Sequence, residues 1–124
     1  MEMKLELVPL PVTDVDRAKA FYTDKLGFHA DIDQRLGDMR FIQLTPPGSA
    51  CSITIGEGIT KQKPGSIDGL LLVVEDIEAV HEALVLKGVD VTEPKMQPWG
   101  SIHADLSDPD GNRWTLQQPR AKND

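Results

Sequence analysis

Cysteine is almost missing from this sequence: Cys51 is the only one in 124 residues. No disulfide can form within the chain, and a reducing compartment suits it. Basic residues are also in short supply. Thirteen Lys and Arg stand against 20 Asp and Glu, for a formal net charge of −7. That balance argues against nucleic acid, which needs a basic stripe, and fits a neutral or cationic small molecule. No apolar run approaches the length that spans a membrane. The opening MEMKLEL has no basic segment leading into a long apolar one, so a cytoplasmic location is expected. Gly-rich phosphate loops, CxxC pairs and nucleophile elbows are absent.

What is present is an ordinary globular mix, 40% hydrophobic and 27% charged, of a length that suits one domain over residues 1–124 with a real core. The order of elements repeats. KLELVPLPV reads as a strand and TDVDRAKAFYTDKLG as a helix, with Thr13 or Asp14 as its cap. Strands follow at about 28–34, 38–45 and 51–56. GLLLVV then reads as a strand and EDIEAVHEALVLKG as a helix with Asp76 near its start, before strands near 89–92, 101–106 and 112–118. V-T-D-V-D at 12–16 matches V-E-D-I-E at 74–78. The expectation is an α+β fold: two β-α-β-β-β modules, at about 4–56 and 67–118, forming one curved mixed sheet with helices on its outer face.

Strand alternation assigns the faces. Val8, Leu10, Val12, Ile42, Leu44, Ala104, Leu106, Trp114 and Leu116 should pack under the helices. Leu7, Pro9, Pro11, Phe41, Gln43, Gly69, Leu71, His103, Asp105, Arg113, Thr115 and Gln117 should face the hollow. Pro9 and Pro11 remove two amide donors from one edge of the first strand. That strand should end its own sheet and meet the other module loosely.

V-x-D-x-x-x-A-x-x-F-Y-x-x-x-L-G-F at 12–28, the repeated module and D-P-D-G-N at 108–112 before the last strand together resemble the vicinal oxygen chelate superfamily, the group of glyoxalases, bleomycin-resistance proteins and extradiol dioxygenases. The resemblance covers nearly the whole chain. It implies a divalent ion chelated by His, Glu or Gln side chains from four strands facing the hollow. Carried over position by position, those ligands fall on Leu7, Gln43, Gly69 and Thr115. Only Gln43 could coordinate, and an amide oxygen alone is a weak ligand. The resemblance therefore implies the fold without the metal site, and no metal or other cofactor is expected.

His-Ala-Asp occurs at 29–31 and again at 103–105. In a strand each His and Asp share a face, which suits a metal pair or an acid/base pair. The two copies sit on non-equivalent strands, which favours solvated strand faces. His103 is the best single acid/base candidate because it should face the hollow. His81 reads as surface, and Cys51 as a small core residue. Trp99 could lie over the mouth of the hollow and stack on a planar ligand. The expected ligand-binding set is Phe41, Gln43, Trp99, His103, Asp105, Arg113 and Thr115. Three functions stay open: a small-molecule binding module, as bleomycin-resistance proteins are; an enzyme of lyase or dioxygenase type, metal-free or with unusual metal ligands; and a structural dimerisation domain. A homodimer is expected, with no nucleic-acid or membrane partner.

Overall fold

The computed structural model describes residues 1–120. Two four-stranded mixed sheets and two helices make an α+β fold. The first half contains β1 (Leu7–Pro9), α1 (Val15–Ala20), a π-helical segment (Phe21–Lys25), β2 (His29–Leu36), β3 (Met39–Thr45) and β4 (Ser52–Gly56). The second contains β5 (Leu70–Val73), α2 (Ile77–Leu86), β6 (Lys95–Met96), β7 (Ile102–Ser107) and β8 (Arg113–Gln118). The sheets have the orders β1-β4-β3-β2 and β5-β8-β7-β6, so each half repeats the other strand for strand. β1 runs parallel to β4 and β5 parallel to β8, while the remaining ladders are antiparallel.

Both helices start where a short acid follows a strand. Asp14 accepts from the Arg17 amide at 3.0 Å and Asp76 from the Ala79 amide at 3.1 Å, each satisfying a first-turn donor that has no partner within its helix. Val15 and Ala18 of α1, and Ile77 and Leu84 of α2, are buried against the sheets. The sheets supply Ile42, Leu44, Ile53, Ile55, Ala104, Leu106, Trp114 and Leu116 to the same core, as alternation requires.

β1 ends its sheet as expected. The Leu10 amide donates to Thr54 O at 2.8 Å and Glu6 O accepts from the Ser52 amide at 2.9 Å, so the even positions point at β4. The odd positions therefore point away, and two of them, Pro9 and Pro11, carry no N–H. Ladder bonds stay within each sheet. At the joint, Val8 and Ile53 of one sheet meet Leu70 and Trp114 of the other around a small cavity.

The halves are held together instead by the turn Asp108–Asn112. Asp108 is only 4% exposed. Its carboxylate accepts from Tyr22 Oη at 2.8 Å, Asn112 Nδ2 at 2.9 Å, the Asn112 amide at 2.9 Å and the Asp110 amide at 3.0 Å. Asn112 reaches on, donating to Pro11 O at 2.9 Å and accepting from the Ile67 amide at 3.1 Å. Asp110 Oδ1 accepts from Thr13 Oγ1 at 2.6 Å. Burial, then the Asp108 charge, push the Tyr22 phenol far above its ordinary pKa, so it stays protonated and donates. Tyr22 Oη in turn accepts from Trp114 Nε1 at 2.9 Å, and the rings of Tyr22, Phe28 and Trp114 pack edge to face or tilted. The turn motif thus starts the last strand and also fastens the second half to the connection between β1 and α1 and to the π-helical segment.

Three expectations need correction. The first strand is three residues long, not nine, and Pro11 is buried beyond its end. It does not face the hollow, because the chain leaves β4 after Leu10 and Asn112 draws the Pro11 carbonyl into the joint. The segment 89–92 is not a ladder strand: Val91 makes one isolated bridge to Leu106, and Pro94 interrupts the edge before β6 forms at Lys95–Met96.

Candidate functional site

Cross-strand register decides which side chains share the face opposite the helices. On β7 and β8 the pairs are His103 with Gln117, Asp105 with Thr115 and Ser107 with Arg113. On β5, Leu71 pairs with Thr115 and Val73 with Gln117. Trp114, Leu116, Ala104 and Leu106 are buried on the other face. The result is a polar row on β7 and β8 beside an exposed apolar strip on β5.

Within the row the polar groups pair locally. His103 Nε2 lies 2.8 Å from Gln117 Oε1 and 3.4 Å from Ser101 Oγ. The amide oxygen can only accept, so in this orientation Nε2 carries the hydrogen and donates. Trp99 is 58% exposed and meets the His103 ring edge-on at 5.8 Å. Thr115 Oγ1 donates to Asp105 Oδ1 at 2.8 Å, and Arg113 Nη2 lies 3.5 Å from Asp105 Oδ2. Trp99 and His103 thus form one group, and Asp105, Arg113 and Thr115 a second group on the same sheet.

Phe41 and Gln43 lie on β3, in the first sheet. Gln43 pairs with Thr54 on β4 and Ile32 on β2; Phe41 pairs with Gly56 and Gln34. Ile42 and Leu44 between and beside them are fully buried, which fixes the two candidates on the opposite face. Among the described residues no hydrogen bond joins this pair to the β7–β8 row. A roomier space lies on the helix side: an apolar cleft of about 480 Å³ lined by Leu26, Phe28, Leu72, Val80, Leu84 and Leu116 among others. It includes none of the candidate residues.

The four positions carried over for a divalent ion do not fit one. Leu7 and Gly69 offer no donor atom, and the Thr115 hydroxyl is already committed to Asp105. Gln43 is left as a single neutral ligand, too few and too weak for a hard or borderline divalent cation. Among the described residues there is no cluster of three or more His, Cys, Asp or Glu that could hold a metal ion.

Two other readings change. His81 is not a surface residue: its side chain is 13% exposed, with Nε2 3.8 Å from Glu93 Oε1. Cys51 is half-buried and lines the cavity at the joint between the sheets. Asp31 carried only a weak signal in the sequence, and the structure gives it a larger part. It occupies a bulge in β2, where the register with β3 shifts between Ala30 and Ile32. Its carboxylate meets His29, Thr45 and Gln43. No helix of the described residues is long and apolar enough to cross a membrane.

Comparison with known proteins gives a consistent set. The family model for the Glyoxalase/Bleomycin resistance protein/Dioxygenase superfamily matches residues 4–116. The crystal structure of TnmS3, an antibiotic binding protein from Streptomyces sp. CB03234, is 38% identical, with a TM-score of 0.87 over 95% of this chain and 97% of that one. A superfamily member from Sphaerobacter thermophilus DSM 20745 is 32% identical, with a TM-score of 0.85 over 95% of this chain and 98% of that one. YetH, an uncharacterized protein of Bacillus subtilis (strain 168), is 26% identical over 95% of this chain and all of its own length.

Proposed function

The chain belongs to the Glyoxalase/Bleomycin resistance protein/Dioxygenase superfamily, and on that premise we propose that it binds a small organic molecule on the hollow face of its sheets without a metal ion. The observation that carries this reading is the β7–β8 row. His103 with Gln117 and Asp105 with Thr115 present paired polar groups beside exposed Leu71, Val73 and Trp99. An apolar wall with a few convergent polar groups is the usual character of a ligand site. The likeness to TnmS3, an antibiotic binding protein at 38% identity, supports a binding role. Phe41, Gln43 and Trp99 supply contact from the flanks, and Arg113 sits at the end of the row.

The test is a fluorescence titration with planar aromatic and cationic glycopeptide antibiotics, read from Trp99 and Trp114. Replacing Trp99 by Phe and Gln43 by Ala should each weaken a binding compound by about 1–3 kcal/mol. Affinity should be unchanged in excess EDTA. Unchanged affinity in both variants would place the site elsewhere, and loss of binding on chelation would overturn the metal-free reading.

The same face motivates a homodimer. Leu71 is 46% exposed and Val73 65%, more apolar surface than a strand face in water favours. A second copy laid against it would cover these residues and close the hollow. Light scattering at micromolar concentration should return about twice the 13.7 kDa chain mass; a single-chain mass would count against the dimer.

A further inference from the structure

The first sheet carries a second polar constellation, centred on Asp31, that the β7–β8 row does not explain. Ala30 pairs with Leu44 on the core face, and the next pair is Ile32 with Gln43. Asp31 is the extra residue between them. A bulge of this kind places two successive side chains on one face and re-aims the inserted one. Asp31 shares the face of His29, Gln43 and Thr45 by alternation, and the bulge adds Ile32 to that face beside it, at the level of Gln43.

The contacts form a chain from solvent inward. His29, whose side chain is 79% exposed, puts Nδ1 2.8 Å from Asp31 Oδ1. Thr45 Oγ1 donates to Asp31 Oδ2. Thr45 Oγ1 and Ser52 Oγ are 2.6 Å apart, and Ser52 is 6% exposed. Gln43 Nε2 points toward both Asp31 Oδ2 at 3.5 Å and Ser52 Oγ at 3.4 Å. The Thr45 hydroxyl, then the His29 contact, hold the Asp31 carboxyl below its ordinary pKa, so it carries its charge across the neutral range. Beside Gln43, on the neighbouring strand, the Thr54 hydroxyl is buried with no partner among the described residues.

A census of donors and acceptors gives the chemistry of what would bind. The hydrogens of Thr45, Ser52, the Gln43 amide and His29 are directed within the group. The atoms left over are chiefly acceptors: Gln43 Oε1, which accepts nothing among the described residues, the remaining lone pairs of a carboxylate that is 31% exposed, and the Thr54 hydroxyl, which can accept as well as donate. We propose that the face of β2, β3 and β4 around Asp31 is a subsite for a cationic hydrogen-bond donor, an amidinium or ammonium group. Asp31 supplies the charge, Gln43 Oε1 a second acceptor, and Thr45 and Ser52 hold the carboxylate in place. The inference deepens the hollow-face reading and rests on it.

Benzamidine tests it, with benzamide and benzoate as neutral and anionic isosteres, in NMR titrations of the 15N-labelled protein. Benzamidine should shift the amides of Asp31, Gln43 and Thr45 and bind at least about tenfold more tightly than either isostere, since a charge-assisted pair is roughly twice as strong as a neutral one. Asp31→Asn, close in shape, should weaken benzamidine by about tenfold and leave benzamide unchanged. Thr45→Val should weaken it by a smaller factor. A well-dispersed spectrum of each variant establishes that it is folded. Shifts confined to Asp105 and Thr115 would overturn the Asp31 assignment and leave the hollow-face reading intact. Shifts confined to the helix-side cleft would overturn both. Equal affinity for the three compounds, or no shift at Asp31 at concentrations of about 10 mM, where a site worth about 3 kcal/mol is half filled, would also overturn the assignment.

Discussion

Asp108→Ala is expected to destabilise the protein by about 3–5 kcal/mol, a large share of the stability of a domain this size. The carboxylate is buried and accepts four hydrogen bonds, two from side chains and two from amides of its own turn. Alanine leaves all four donors without their acceptor, three of them in buried bonds, and each unsatisfied buried group costs about 1–3 kcal/mol before the site relaxes. The damage also spreads across the joint, because Tyr22 Oη and Asn112 Nδ2 are the groups released. Asp108→Asn keeps the shape and an acceptor oxygen and should cost less, about 1–3 kcal/mol. Urea unfolding measures both, with the thermal midpoint of the alanine variant falling by about 10–20 °C. A loss under 1 kcal/mol for alanine would mean that the turn does not fasten the two halves.

Gly65→Ala should be nearly as harmful, for a different reason. Gly65 lies in the connection between the halves, at a φ of +80°, against the back of the same turn. A Cβ built there would sit 2.1 Å from the backbone oxygen of Asp110 and 3.1 Å from its carbonyl carbon. Backbone cannot rotate aside as a side chain can, so either the connection or the turn must move. Left-handed conformation adds about 1–2 kcal/mol for any L-residue with a side chain, and the total should reach about 2–4 kcal/mol once the displaced turn is included. Gly48 provides the control. It has the same φ of +80° and nothing within 4 Å of a Cβ, so Gly48→Ala should show the conformational cost alone. Equal losses in the two variants would remove the close approach as the cause.

Much of this architecture is readable from the chain because it depends on neighbours in sequence. Asp14 and Asp76 cap their helices because a short acid after a strand has few better uses. Ile42 and Leu44, or Trp114 and Leu116, declare a buried face by alternation, and their neighbours Gln43 and Thr115 follow onto the other. Pro9 and Pro11 predict an unladdered joint from valence alone, although only Pro9 lies within β1. What escapes is non-local. The bulge that puts Ile32 beside Gln43, on the same face as Asp31, depends on how β2 pairs with β3, and no residue near 31 announces the shift. The burial of Pro11 depends on Asn112, a hundred residues away. Likewise, the hollow-face residues could be assigned to a side but not to groups. His103 with Trp99, and Asp105 with Arg113 and Thr115, separate only once the register of β7 against β8 is known.

These two prolines also bear on how the protein behaves at high concentration. A sheet ends in a row of vacant backbone groups, and that row is a template on which another chain can add a strand. On β1 the outward Pro9 has no hydrogen to offer, and Pro11 just beyond the strand has none either, so the template is defective at that end. The opposite edge of that sheet, β2, bears Asp31, Asp33 and Arg35 and a bulge, and in the second sheet β6 is only two residues long. Charge, irregularity and brevity are the means by which free edges avoid one another. Polymerisation by strand addition is thus opposed at three separate edges, and contact between copies is directed to the broad faces of the sheets, where side chains rather than backbone choose the partner.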